Sequence, residues 1–273
     1  MNENGGRDNI HRRGLWAGLW VQAVIATVLT FSSHGGAITN GTVDTVHTYV
    51  GAWIVQLDDG SYTWCSGSLV SSRVFLSAGH CAFFFFDLFG IPINKMWVSF
   101  ATDILADRKS WRTVSDVIVH PDLSLLLGPL EINDIALVIL SKPVKDIAPG
   151  KLAPVGYLDA LEAAGALDGA AFASVGYGVN ENFQVTSVRK VAYSGFVALY
   201  GSFLQTSKNP ALGFGGACTS DSGGPKLYDD GKTEYIVATM NWGDSACQDL
   251  DMAYRVDTPG ALEFIQRGIL ANP

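Results

Sequence analysis

Basic residues are scarce in this chain: 18 Lys and Arg stand against 26 Asp and Glu, a formal net charge of −8. That balance carries no nucleic-acid footprint, so nucleic acid is excluded as a partner. Charge of either sign is thin, at 16% against 48% hydrophobic residues, which excludes an intrinsically disordered chain. Cysteine is limited to four residues, and no two form the Cys-x-x-Cys pair that holds structural zinc. No acidic calcium loop stands between Phe89 and Trp111 either, so no metal and no other cofactor is expected. Gly-x-Ser-x-Gly is absent as well, which argues against the nucleophile elbow of the α/β-hydrolases.

What is present begins with an export signature. Arg7, Arg12 and Arg13 precede an apolar run, Leu15 to Phe31, and the small residues Gly35, Gly36 and Ala37 follow. A basic head, a short apolar middle and a small-residue tail describe a secretory signal peptide over residues 1–37, cut after Ala37. The run of about 17 residues lies at the lower limit of a membrane span, so membrane contact is expected only if the segment stays uncleaved. The expected location is therefore secreted, either extracellular or periplasmic. Behind an export signal, Cys65, Cys81, Cys218 and Cys247 read as two disulfides, with three pairings open.

From residue 41 the chain runs in short β-rich stretches: "GAWIVQL", "RVFLSAG", "MWVSFA", "DVIVH" and "DIALVIL", then "AFASVGYG", "RKVAYSGFVALY" and "EYIVATMNWG". Turn residues separate them, which argues for an all-β barrel or sandwich. Asp58-Asp59-Gly60 and Asp229-Asp230-Gly231 suit hairpin turns, because Asp and Gly tolerate positive φ. No helix follows each strand, so a parallel α/β sheet is disfavoured. The one late helix is "TPGALEFIQRGIL", with Pro259 near its start and Leu262, Ile265 and Ile269 on one face. Lys142 to Leu158 holds three prolines and reads as a crossover between two β units.

Three stretches offer reactive groups: "SAGHC" with His80, "NDIALVIL" with Asp134 and "DSGGP" with Ser222. A serine hydroxyl is a poor nucleophile at neutral pH and needs a base within hydrogen-bond reach. That base needs a carboxylate to fix its tautomer. Each residue also has a bland reading. His80 sits beside a disulfide cysteine, Asp134 at a turn entering a strand, and Ser222 in a glycine turn.

Taken together, the stretches resemble the trypsin/chymotrypsin family of serine proteases over nearly all of residues 38–270. The resemblance rests on "WCSGSLVSSRVFLSAGHC", "HPDL", "NDIALVIL", "CTSDSGGP" and "NWG" in that order. His80, Asp134, Ser222 is the chymotrypsin order; subtilisins run Asp-His-Ser. The resemblance implies an all-β fold of two antiparallel six-stranded β-barrels with a C-terminal helix. The N-terminal barrel would span 38–150, and the C-terminal barrel with the helix 151–273, together one peptidase domain. It implies disulfides Cys65–Cys81 and Cys218–Cys247, a triad of His80, Asp134 and Ser222, and an oxyanion hole from the backbone N–H groups of Ser220 and Ser222.

By the same resemblance, Ile38 becomes a free N-terminus whose ammonium pairs with Asp221, released here by the export cut itself. Gly216 lies at the pocket base, with Asn241, Trp242 and Gly243 beside it. An uncharged pocket that prefers apolar or aromatic side chains follows; Asp249 or Asp251, on entering the pocket, would restore some preference for basic ones. The implied partners are protein or peptide substrates and protein inhibitors, and the implied state is a monomer. The Phe83–Phe86 cluster is expected to be buried under the first barrel, its alternative being an exposed patch beside the cleft. Ser220 stands where the family has glycine. It is the best support for the competing class, a catalytically impaired protease-like binding module.

Overall fold

The computed structural model describes residues 38–124 and 133–273. The apolar run Leu15 to Phe31 and the cut position Ala37 lie outside the described residues. After a two-residue strand β1 (Thr42–Val43) come β2 (Val50–Gln56), β3 (Tyr62–Leu69), β4 (Val74–Ser77), β5 (Met96–Ser99), β6 (Arg112–Val119) and β7 (Ala136–Leu140). Strands β2 to β7 close into an antiparallel barrel in the order β2-β3-β4-β7-β6-β5. A second set follows: β8 (Ala171–Gly176), β9 (Lys190–Leu199), β10 (Phe203–Ser207), β11 (Pro225–Asp229), β12 (Glu234–Gly243) and β13 (Leu250–Arg255). It closes in the order β8-β9-β10-β13-β12-β11, with β1 paired to the start of β9. Two six-stranded antiparallel barrels are thus the architecture. Among the described residues the α-helices are the short α1 (Gly79–Phe83), which runs on into a π-helical turn at Phe84–Leu88, α2 (Tyr157–Ala163) and α3 (Pro259–Ala271).

Strand alternation explains how the barrels meet. Ala136, Val138 and Leu140 of β7 point into the first barrel, beside Trp53, Phe75 and Val98. Their neighbours Leu137 and Ile139 point the other way, with Val74 and Leu76 of β4. Those residues pack on Val175, Leu227, Ile236 and Tyr254 of the second barrel and on Ala261 and Ile265 of α3. Both faces of "ALVIL" are buried, so the stretch reads as a continuous apolar run despite its period of two. Helix α3 begins where the sequence indicates: the Thr258 side chain accepts from the Ala261 N–H and Pro259 takes the first turn.

Both Asp-Asp-Gly turns close hairpins, with φ of +85° at Gly60 and +83° at Gly231. Strands β10, β11 and β13 carry too little β-branched alternation to stand out, and α2 starts at the last two residues of the Lys142–Leu158 crossover and runs beyond it. The phenylalanines divide between the two expectations. Phe85 packs edge-on against Trp53 in the core at a centroid distance of 4.9 Å, whereas Phe83, Phe84 and Phe89 are exposed.

Candidate active site

Helix α1 puts His80 at the end of β4, and the Cys81–Cys65 disulfide ties that turn to β3. Asp134 enters β7 after Asn133, which takes the left-handed conformation at φ +61°. The Asn133 side chain accepts from the Tyr254 hydroxyl at 2.9 Å and donates to the Asp122 carbonyl at 3.1 Å, which fixes the corner. Asp134 is fully buried and meets His80 twice: its Oδ1 accepts the His80 backbone N–H at 2.6 Å, and its Oδ2 accepts Nδ1–H at 2.6 Å. A carboxylate oxygen only accepts, so Nδ1 carries the hydrogen.

Ser222 lies in the loop from Cys218 to Gly224, pinned between the two barrels. The Ser66 N–H of β3 donates to the Ser222 carbonyl at 2.9 Å, and the Ser66 hydroxyl donates to the Ser220 carbonyl at 3.0 Å. From the other side, Gly223 N–H donates to the Met240 carbonyl of β12 at 2.7 Å. Gly223 has φ +79°, and a Cβ there would lie 2.3 Å from Ser77 Oγ and 2.5 Å from the Ala78 nitrogen. The Ser222 turn therefore abuts the chain two residues before His80.

Ser220 is in the left-handed region, at φ +72°. Its preceding carbonyl, on Thr219, accepts from Val179 N–H at 2.9 Å. A trans peptide points its N–H opposite to its carbonyl, so the Ser220 N–H faces away from Val179. Likewise the Asp221 carbonyl accepts from Gly224 N–H at 2.8 Å, which turns the Ser222 N–H the other way. Among the described residues neither N–H has a backbone acceptor.

Thr39 pairs with Gly216 through backbone bonds of 2.9 and 3.2 Å, which lays the chain after Ile38 along this loop, and Ile38 is itself buried. The uncut chain has a neutral amide at Ile38, so the expected ion pair with Asp221 is not formed here. The Asp221 carboxyl instead accepts the N–H groups of Gly178 at 2.8 Å and Cys218 at 2.9 Å. Burial pushes its pKa up to about 7 against the pull of those two amides.

Beside Ser222 lies a cavity of about 250 Å³, lined by Cys218, Thr219, Ser220, Asn241, Trp242 and Gly243 among others. The Cys218–Cys247 disulfide closes one side. The uncharged pocket implied by Gly216 is corrected here, because Lys208, Asp244 and Asp251 also line it. Asp251 of β13 crosses over Gly216, its Oδ2 lying 2.5 Å from where a Cβ would sit. Asp249 is absent from the lining. Lys208 was illegible: it follows β10 in the polar stretch "QTSKNP", which reads as an exposed turn. Lys226, which reaches Asp251 from β11, reads as a solvent-face residue of "PKLY".

Two closed barrels with an imidazole–carboxylate pair and a glycine-bound serine turn at their junction define a chymotrypsin-like protein. Residues 38–261 match the trypsin family, and the chain belongs to it. Among curated proteins it is similar to transmembrane protease serine 11B of Homo sapiens, 29% identical over 239 residues, 77% of this chain and 50% of that protein. It is also similar to ovochymase of Halocynthia roretzi, 26% identical over 215 residues, 75% of this chain and 12% of that protein. The chain thus spans half or less of the length of these relatives.

Proposed function

We propose that this chain is a serine endopeptidase acting through Ser222, His80 and Asp134. The observation that carries the reading is the doubly bonded His80–Asp134 pair, with the Ser222 turn packed against Ser77 and Ala78. Ser222 Oγ attacks the peptide carbonyl carbon while its proton passes to His80 Nε2, and Asp134 stabilises the imidazolium. The N–H groups of Ser220 and Ser222 receive the developing oxyanion. His80 then gives its proton to the leaving amine, and water, deprotonated by His80, releases the acyl group from Ser222.

Substrates are proteins or peptides, with uncharged side chains at the cleaved bond, because each charge lining the pocket base already has a partner. Fluorophosphonate should label the protein stoichiometrically, and Ser222→Ala and His80→Ala should abolish the label. A folded wild-type protein that resists labelling would instead support the binding-module reading.

Export, with release of Ile38 by the export cut itself, completes the proposal. The basic and apolar N-terminal residues support a cut after Ala37, and a new ammonium at Ile38 would give the buried Asp221 the cation it lacks in the uncut chain. N-terminal sequencing of exported protein should read Ile-Thr-Asn-Gly; any other start overturns this part. Among the described residues no helix is long and apolar enough to cross a membrane.

A further inference from the structure

The base of the pocket beside Ser222 is built from charges, all of them satisfied. Lys208 Nζ donates to Asp251 Oδ1 at 2.8 Å and to the Ala217 carbonyl at 2.8 Å, and it faces Asp244 Oδ1 at 3.5 Å. The other oxygen of Asp251 accepts from Lys226 Nζ at 2.8 Å and from Ala217 N–H at 3.1 Å. Lys226 completes its three donors on the hydroxyls of Ser174 at 2.6 Å and Ser194 at 2.8 Å. Asp244 is held by the N–H groups of Gln248, Asp249 and Leu250, between 2.9 and 3.0 Å. Lys208, Lys226 and Asp251 are buried. Two ammoniums and two carboxylates leave the cluster neutral.

Lys208 also takes the space that two glycines open. A Cβ on Gly243 would lie 2.7 Å from Lys208 Nζ, and one on Gly216 would lie 2.8 Å from Lys208 Cβ. The stem and amine therefore fill the region into which a long substrate side chain would extend.

We propose that Lys208 is a specificity-determining residue: an internal counter-ion to Asp251 that restricts the cleaved bond to one following a short uncharged side chain, such as Ala, Val, Ser or Thr. A basic substrate side chain finds both Asp251 oxygens engaged, and displacing Lys208 would leave a buried ammonium unpaired. An acidic one finds the Lys208 donors in use and the fixed carboxylate of Asp244 in the wall. A bulky aromatic one meets the lysine stem before it reaches the base. Removing the Lys208 amine exposes Asp251 Oδ1, and a substrate ammonium can then take its place.

This inference deepens the peptidase reading and rests on it, so its test separates the two. Wild type, Lys208→Ala and Lys208→Met are each titrated with fluorophosphonate to count competent Ser222. Each is then assayed on peptide amides that differ only in Ala, Val, Phe, Glu, Lys or Arg at the cleaved bond. The expected wild-type kcat/KM for Ala and Val exceeds that for Lys, Arg and Glu by at least roughly 10-fold. Lys208→Ala should shift the Lys-to-Ala ratio by about 100-fold or more, because a closed polar site discriminates strongly on a single hydrogen-bonded group. Lys208→Met removes the charge but keeps the stem, so its shift should be smaller. Wild-type preference for Arg, Lys or Glu overturns the proposal, as does an equal change on all substrates in Lys208→Ala. If neither variant folds, the wild-type ranking alone decides. Calorimetric binding of the same peptides to Ser222→Ala reads the pocket without the chemistry. A protein that never labels but binds peptides in the stated order overturns the peptidase reading, and with it the claim about the cleaved bond, and leaves Lys208 as the selector of a binding pocket.

Discussion

Ser220 and Gly223 both take left-handed backbone in the site, with strain at the serine and none at the glycine. A serine at φ +72° costs about 1–2 kcal/mol relative to a right-handed residue. The structure holds it there with Val179 N–H on the preceding carbonyl and Ser66 Oγ on its own carbonyl. Ser220→Gly should therefore stabilise the fold by up to about 1 kcal/mol, net of the unfolded-state entropy of glycine, and leave kcat/KM nearly unchanged. Thermal melts and steady-state kinetics check both; a kcat loss of roughly 10²–10³ would mean that the glycine lets the amide leave its position. Gly223→Ala is the opposite case, because its Cβ would collide with the Ala78 backbone nitrogen and with the Ser66 carbonyl. It should destabilise by more than about 2 kcal/mol and lower the labelling rate of Ser222. For Asp134→Asn, kcat should fall by about 10⁴ with the fold retained, because an amide no longer enforces the Nδ1–H tautomer.

Segments distant in sequence are clamped by a second buried network. Arg189, just before β9, donates to Asp44 Oδ2 at 2.9 Å and to the carbonyls of Val50 and Phe100 at 3.0 and 2.9 Å. Asp44 also accepts from His47 Nδ1 at 2.9 Å, and His47 Nε2 reaches Glu234 of β12 at 3.2 Å. Burial alone would lower the His47 pKa, but the bonds to Asp44 and Glu234 outweigh it and raise it to about 9. A folded-state pKa above the unfolded value of about 6.5 favours the fold fully below pH 6.5, and this advantage is lost as pH rises through 9. Between about pH 6.5 and 9 the loss should reach roughly 2–3 kcal/mol. His47→Gln should flatten that part of a melting-temperature profile; an unchanged slope would assign the effect elsewhere. None of this was legible, because His47, Arg189 and Glu234 lie in unremarkable polar stretches that only strand pairing brings together.

For the molecule as a whole, the proposed cut before Ile38 would act on stability through the buried Asp221. Its folded-state pKa of about 7 stands above the ordinary 3.8, so folding of the uncut chain is disfavoured progressively from about pH 4 to pH 7 and constantly above. In uncut Ser222→Ala protein, a further Asp221→Asn should raise the melting temperature at about pH 8 and change little at about pH 4. In protein beginning at Ile38 the same substitution should destabilise at about pH 8, because it removes the partner of a buried ammonium. Equal effects on both forms would detach Asp221 from processing. The sequence by itself determined an all-β barrel or sandwich, because alternating apolar strands, Asp-Asp-Gly turns and the capped α3 are local patterns; the two-barrel class followed only from the resemblance of its motifs to the trypsin/chymotrypsin family. It also named His80, Asp134 and Ser222 as candidates, because the motifs around them are short and contiguous. Only the tertiary structure decided what fills the pocket. Lys208, Lys226 and Asp251 come from three strands or their ends, and their charges became partners because antiparallel pairing buried them together, where an unpaired charge would not be tolerated.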